Sequence, residues 1–117
     1  MFINLTNHPS SGWNKEQLEA ARHYGEIVEL PFPIIKPTFT KNDILHLVKD
    51  STDVIMGIKD VDTVVHVMGE MTFTHNLVNA LNDKGITCLA STTERNTIIT
   101  DDGKKISEFK FIQFREY

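Results

Sequence analysis

The stretch TVVHVMG, residues 63–69, carries the clearest strand signal in this sequence of 117 residues. Its residues are mostly β-branched and apolar on both faces, which is typical of a parallel strand that helices cover on both sides. A helix is expected directly after it, from about Met71 to Asp83, with Gly85 closing the helix. This stretch therefore predicts a parallel α/β fold.

The sequence before this strand repeats the alternation of strand and helix. Phe2–Leu5 and EIVELPF (26–32) each predict a strand. Asn14 and Thr40 are expected to cap the helices that follow these two strands, and Gln17 stands three residues after Asn14 as in a capping box.

The sequence after it predicts one more parallel strand and then a hairpin. ITCLAST (86–92) predicts the strand, and NTIIT (96–100), the turn DDGK and ISEFKFIQF (106–114) predict the antiparallel hairpin. We therefore predict a small Rossmann-like α/β sandwich, with a mostly parallel six-stranded sheet and a C-terminal antiparallel hairpin. The length supports a single domain over residues 1–117.

The composition and charge of the chain exclude several classes of binding partner and cofactor. A net charge of −4 argues against binding of long nucleic acids, which requires a basic face. The sequence contains no apolar run long enough to span a membrane and no secretory signal pattern. One cysteine, Cys88, excludes an internal disulfide framework, and no metal-ligand spacing is present. The expectation is a cytoplasmic protein without cofactor, bound metal or membrane partner.

Three polar segments follow predicted strands and are expected to meet at one edge of the sheet. They are Asn7–Trp13 after the first strand, Gly69–Thr74 after the third and Ser91–Asn96 after the fourth. Ligands of open α/β sheets bind beyond the carboxyl ends of the strands, where the strand order reverses. We expect the first and third strands to be neighbours there, so the three segments would form the walls of a crevice.

The chemistry of these segments suits a phosphate or a ribose. Gly69 would let backbone approach a ligand closely, and a helix beginning near Glu70 would point free N–H groups into the crevice. Arg95 supplies a bidentate cation, His8 can act as an acid or base near neutral pH, and Trp13 can stack on a base. Hydroxyl groups come from Ser10, Ser11, Thr72, Thr74, Thr92 and Thr93.

Each of these residues also has a purely structural interpretation. The serines satisfy turn backbone, Trp13 packs on the first helix, Glu70 caps its helix and Arg95 pairs with Glu94 at the surface. Glu70 has the further alternative of accepting from ribose hydroxyls or an adenine amino group. His66 is interpreted as a satisfied core histidine, and Phe109, Phe111 and Phe114 are expected in the core. The G-x-G-x-x-G and P-loop patterns are absent, which disfavours ordinary NAD or ATP binding.

The layout resembles the CARF-type domains of CRISPR defence. The resemblance is carried by a short first strand ending in a Ser-bearing loop, a Gly–x–x–Thr turn (Gly69–Thr72) into a helix, and a closing hairpin. The small size is similar, more narrowly, to the CRISPR-associated ring nucleases. That family implies a homodimer that binds cyclic oligoadenylate and cleaves it without metal, by attack of a ribose 2′-OH on the adjacent phosphate.

The resemblance also implies site residues. Ser10 and Ser11 match the hydroxyl-bearing first loop, Gly69–Thr74 match the phosphate-facing turn, and Arg95 is the candidate cation for the transition state. The candidate catalytic residues are Ser11, His8 and Arg95. The candidate ligand-binding residues are Asn7, Ser10, Trp13, Gly69, Glu70, Thr72, Thr74, Thr92 and Thr93.

Two other functions stay open at this point. One is a non-catalytic sensor of a cyclic oligonucleotide that works with a partner effector, and the other is an unrelated small nucleotide-binding Rossmann-like protein. A homodimer is expected on a further ground. The last strand would place Phe109 and Phe111 on one face and Ile112 and Phe114 on the other, so both faces would need cover.

Overall fold

A computed structural model describes all 117 residues as one five-stranded sheet with helices on both faces. The elements are β1 (Phe2–Thr6), α1 (Lys15–Arg22), β2 (Ile27–Glu29), α2 (Lys41–Ile58), β3 (Val64–Met68), α3 (Met71–Asp83), β4 (Thr87–Ile99) and β5 (Lys105–Glu116). A single 3-10 turn, Ser10–Gly12, lies between β1 and α1.

The sheet order is β2-β1-β3-β4-β5, with parallel pairing up to β4 and an antiparallel β4–β5 pair. The predicted fold class is confirmed. The strand order reverses between β1 and β3, which are neighbours as expected, so the carboxyl ends of these two strands mark the ligand edge of the sheet.

The two faces of the sheet are covered very unequally. On one face α2 and α3 pack over the alternate strand residues, including Ile3, Leu5, Val65 and Val67, to form the main core. On the other face the eight-residue α1 contributes buried Ala21, which packs with Phe2 and Leu89 in a much smaller cluster. Because one short helix cannot cover a five-stranded sheet, this second face stays partly open beside α1.

The expected loop at Ser91–Asn96 and the expected sixth strand are both wrong. β4 runs without a break from Thr87 to Ile99 and pairs with β5 from Leu89↔Glu116 to Ile99↔Lys105. The polar residues there belong to a hairpin that extends beyond the parallel sheet, since β3 pairs with β4 only as far as Leu89. Their polarity reflects exposure of a strand to solvent, which the sequence pattern does not distinguish from a loop.

A β-bulge also overturns the expected faces of the last strand. Thr92 pairs with Gln113 and Thr93 with Phe111, so Ile112 is an extra residue on β5. The bulge shifts the alternation by one residue and brings Phe111 and Phe114 to the same face, with ring centroids 4.9 Å apart. Phe109 is 68% exposed, so the expectation that it lies in the core is wrong.

The predicted helix caps and the bounds of the third helix are confirmed. Asn14 caps α1 by accepting from the Gln17 N–H at 2.9 Å, and Thr40 forms a complete capping box with Asp43 at the start of α2. The third helix spans the predicted residues, and Gly85 follows it with a φ of 76°. None of the helices combines the length and apolar character required to cross a membrane.

Candidate functional site

A cavity of about 710 Å³ lies on the open face of the sheet, beyond the carboxyl ends of β1 and β3. We call it the α1-face cavity. Its lining residues are Thr6, His8, Pro9, Gly12, Trp13, Asn14, Gln17, His66, Met68, Ser91, Thr93, Phe109 and Phe111. The volume falls within the range of about 300–1,000 Å³ typical of small-molecule sites. Its position is the one that the strand order predicts for a ligand.

Aromatic side chains form much of the cavity wall. The indole of Trp13 is held by an Nε1–H bond to the His8 carbonyl oxygen at 3.1 Å, and its ring packs edge-on against Phe2 and His66. Phe109 and Phe111 line the cavity from β5. The held indole leaves a flat wall of the kind on which a planar ring can stack.

The lining contains no Lys, Arg, Asp or Glu. Its polar groups are hydroxyls, side-chain amides and the two imidazoles of His8 and His66. A phosphate in such a site would lack a charged partner, whereas an uncharged heterocycle would find both apolar walls and hydrogen-bonding groups. The cavity therefore suits a nucleobase better than a phosphate.

A row of three polar side chains crosses the sheet beneath the cavity. Asn4 of β1 is in register with Glu29 of β2 on one side and with His66 of β3 on the other. The Asn4 amide nitrogen donates to both Glu29 carboxylate oxygens, at 3.0 and 3.2 Å, and Asn4 Oδ1 lies 3.0 Å from His66 Nδ1. Asn4 and His66 are buried, so the row links a carboxylate to the floor of the cavity through one amide.

His66 is only half satisfied, which corrects its interpretation as a satisfied core histidine. The side chain is buried and lines the cavity, yet its Nε2 has no hydrogen-bond partner in the protein. Burial lowers the pKa of His66 to about 4; the charge of Glu29 opposes this shift and His8 adds to it. The imidazole is therefore neutral at physiological pH, and an unmet buried acceptor or donor costs about 1–3 kcal/mol.

The structure brings together only some of the residues predicted for the site. His8, Trp13 and Thr93 line the α1-face cavity. Ser10 and Ser11 instead line a shallow depression next to Arg22, and the Ser10 N–H donates to Glu29. The predicted convergence is therefore wrong for the two serines, because the 3-10 turn directs them to the far side of α1.

Three further predicted residues also lie outside this cavity. Asn7 faces a separate depression between β1 and the segment after β2. Gly69 and Thr74 line a cavity of about 510 Å³ beside α3 and Tyr117. The Thr74 hydroxyl is buried there without a partner.

Two of the N–H groups at the N-terminus of α3 that were expected to face a ligand are occupied by the protein itself. The Glu70 carboxylate accepts from the Thr72 and Phe73 N–H groups, at 3.0 and 2.9 Å, and from the Thr72 hydroxyl at 2.8 Å. These hydrogen bonds lower the pKa of Glu70, with the Phe73 N–H contributing most. Glu70 is a helix cap, and a phosphate at this terminus would meet a carboxylate already in place.

Gly69 accommodates a side chain rather than a ligand. A Cβ at this position would overlap the Phe32 ring, which packs edge-on against Phe73 with centroids 5.3 Å apart. The absence of a side chain at Gly69 thus lets the segment after β2 close over the end of β3. A group does approach the Gly69 backbone closely, as expected, but this group is the Phe32 ring and not a ligand.

The remaining predicted residues lie on the hairpin. The Thr92 hydroxyl bridges the bulge by bonding to the backbone of Gln113, so it serves the hairpin itself. Arg95 pairs with Phe109, donates to the Ser107 hydroxyl at 3.1 Å and stands 6.0 Å from the Phe109 ring centre. Strand alternation places Arg95 on the same face as Thr93, directly opposite the lining residue Phe109.

Sequence reasoning missed Asn4 and Glu29. Each is a polar residue within a short, mostly apolar strand, as is His66, and this shared feature is the signal that the sequence offers. The three residues can be recognised as one row only when the strand order and register are known, because these place Asn4 directly between Glu29 and His66.

The fold and the cavity define a small Rossmann-like α/β protein with a cavity of small-molecule size at the edge where the strand order reverses. The chain belongs to the family described as Uncharacterized protein MJ1673, whose family model matches residues 1–115. No curated protein and no solved structure shows significant similarity to the chain.

Proposed function

We propose that the protein is a ring nuclease that binds a cyclic oligoadenylate at the α1-face cavity, cleaves it and so switches off type III CRISPR signalling. One observation carries the proposal: an uncharged, aromatic-walled cavity, large enough to admit a nucleobase, lies at the ligand edge of the sheet, directly beside the hairpin face that bears Arg95. An adenine fits the uncharged cavity, and the anionic backbone of the ring passes outside it.

The residues around the cavity divide into two roles. Trp13 and Phe111 form the walls against which the base packs. His8, whose side chain is exposed to solvent, supplies the acid–base group at the rim, and Arg95 supplies the cation further along the hairpin. Ser11 lies in a different depression and has no catalytic role in this mechanism.

The chemistry is a transesterification that requires no water and no metal. The ribose 2′-oxygen attacks the neighbouring phosphorus, a 2′-O–P bond forms and the P–O5′ bond breaks. The 2′-OH loses its proton, the departing 5′-oxygen gains one, and a cyclic 2′,3′-phosphate end remains. Alignment of the 2′-oxygen with the leaving oxygen supplies much of the rate enhancement in such reactions.

A non-catalytic sensor is the second candidate function, and one observation favours it. The cavity lining holds no charged group, and the Arg95 guanidinium is engaged by the Ser107 hydroxyl. A site of this kind can bind an adenine without acting on the phosphate. Binding without cleavage would therefore identify the sensor.

The decisive experiment is incubation with cyclic tri-, tetra- and hexa-adenylate in excess EDTA, followed by chromatography and mass spectrometry. We expect a linear product of unchanged mass after one cut, because no water is added, and fragments of proportionally smaller mass after further cuts. Activity that disappears in EDTA and returns with manganese would contradict the mechanism. If the protein neither binds nor cleaves these rings, both the nuclease and the sensor are contradicted, and an unrelated nucleotide-binding protein is the alternative that stands.

A homodimer is part of the same proposal, and the hairpin supports it. Ile99 and Phe109 are 69% and 68% exposed on the part of the hairpin that extends beyond the parallel sheet. Ile98, Ile106 and Ile112 are each about half exposed there as well. A second copy packed on the face of Ile99 and Phe109 would cover these two side chains and bring a second cavity to a cyclic ligand.

We expect light scattering at tens of micromolar to give the mass of two chains. Replacing both Ile99 and Phe109 with serine should shift the protein towards a monomer while leaving its circular dichroism spectrum unchanged. A wild-type protein that is monomeric under these conditions would contradict the dimer and weaken the ring-ligand proposal.

A further inference from the structure

The orientation of the Asn4 amide is fixed by its neighbours. Its nitrogen lies within hydrogen-bond distance of both Glu29 carboxylate oxygens and of the His8 carbonyl oxygen at 3.0 Å. These three atoms only accept hydrogen bonds, so the NH₂ group must face them. The amide oxygen therefore faces His66, and it also accepts from the Thr6 hydroxyl at 3.0 Å.

This orientation determines which His66 nitrogen carries the proton. Asn4 Oδ1 cannot donate, so the 3.0 Å contact requires a hydrogen on His66 Nδ1. A neutral imidazole carries one N–H, and Nε2 is then left with a free lone pair. Burial, which lowers the pKa of His66 to about 4, keeps the ring in this neutral form.

The free lone pair lies on a buried side chain that lines the α1-face cavity. His66 is 2% exposed, and Nε2 has no partner in the protein. The Trp13 ring stands edge-on to the imidazole, with centroids 5.5 Å apart, so a planar ligand beside Trp13 would direct one of its edges towards His66. A ligand group that completes this site must donate a hydrogen bond to Nε2, and the aromatic wall beside His66 favours a flat ring as its carrier.

We propose that His66 is a specificity-determining residue that accepts a hydrogen bond at Nε2 from the exocyclic amine of an adenine, with Asn4 and Glu29 as positioning residues that fix its tautomer. This inference rests on the proposed function for the identity of the ligand. A base with a carbonyl oxygen at the same ring position would set two lone pairs against each other. A base with only hydrogen there would leave Nε2 unsatisfied, and sites built to hydrogen-bond a ligand group reject analogues that lack it.

The first test examines the unliganded protein. A long-range proton–nitrogen correlation spectrum near neutral pH should show His66 with a protonated Nδ1 and an unprotonated Nε2. Adenosine monophosphate should shift the Nε2 signal, as expected for a nitrogen that begins to accept a hydrogen bond. A protonated Nε2 in the free protein would overturn the proposal without any variant being made.

The second test compares affinities for matched probes. Wild-type protein should bind adenosine monophosphate at least about tenfold more tightly than purine riboside monophosphate, in which hydrogen replaces the amine. The same difference should appear between cyclic tetra-adenylate and its purine analogue. His66→Phe, which keeps an aromatic ring among Phe2, Trp13 and Phe114, should bind both members of each pair within about twofold.

His46→Phe makes the same substitution at an exposed histidine of α2 and should retain the wild-type preference. Equal wild-type affinity for the two monophosphates, no measurable binding of either, or a preference that survives in His66→Phe would each overturn the proposal. If adenosine monophosphate is preferred but cyclic tetra-adenylate does not bind, the proposed function fails and the role of His66 stands.

Discussion

Replacing Arg95 with alanine is expected to lower the single-turnover rate of cyclic oligoadenylate cleavage by about 100-fold or more. The dissociation constant should stay within roughly tenfold of the wild-type value. Negative charge builds up on the phosphate oxygens as the 2′-oxygen attacks, so a guanidinium at the rim stabilises the transition state more than the bound ring. The adenine contacts lie within the cavity, whose lining does not include Arg95.

Two further variants make the result specific. Arg95→Lys keeps the charge but loses the planar fork, so it should recover only part of the rate. Lys110→Ala removes a cation from the neighbouring strand, where Lys110 pairs with Glu94 on the opposite face of the hairpin, and should cleave at the wild-type rate. If Arg95→Ala also cleaves at that rate, Arg95 is a surface residue and His8 becomes the leading catalytic candidate.

Replacing Gly69 with alanine is expected to lower the free energy of unfolding by about 1–3 kcal/mol. The added Cβ would overlap the Phe32 ring, which must then move away from Phe73 and give up its edge-on packing. Urea unfolding followed by circular dichroism measures the change.

Gly57→Ala is the matched control for this substitution. Gly57 lies within α2, and a Cβ there would meet no atom within 4 Å. The control should raise the free energy of unfolding by up to about 1 kcal/mol, since alanine favours the helix. Equal effects of the two substitutions would show that Phe32 yields without cost and that Gly69 has no packing role.

Most of the fold could be predicted because it depends on local patterns. The apolar run after Asp62, the caps at Asn14 and Thr40, and Gly85 each act over a few residues, and the structure has them as expected. The Ser91–Asn96 segment was misassigned because an exposed strand and a polar loop have the same composition. The bulge at Ile112 was not predictable either, since it arises from how β5 pairs with β4.

The site was predicted only in part because its residues meet through register. His8 and Trp13 follow β1 directly, so strand order alone brings them to the cavity. Asn4 and His66 are 62 positions apart, and nothing near either residue indicates the other. For Glu70 the sequence predicts the position at the start of the helix. It does not predict whether the side chain caps the helix or binds a ligand, because that depends on where the carboxylate points.

The central place of β1 has a consequence for synthesis of the protein. β1 emerges first but pairs with β2 on one side and β3 on the other. The 62 positions between Asn4 and His66 take about 3–12 s to translate at roughly 5–20 residues per second. During that interval the nascent chain exposes the apolar segment FINLT with no β3 edge to join. The β3 side of this segment therefore stays unpaired, and open to aggregation, until β3 has been made.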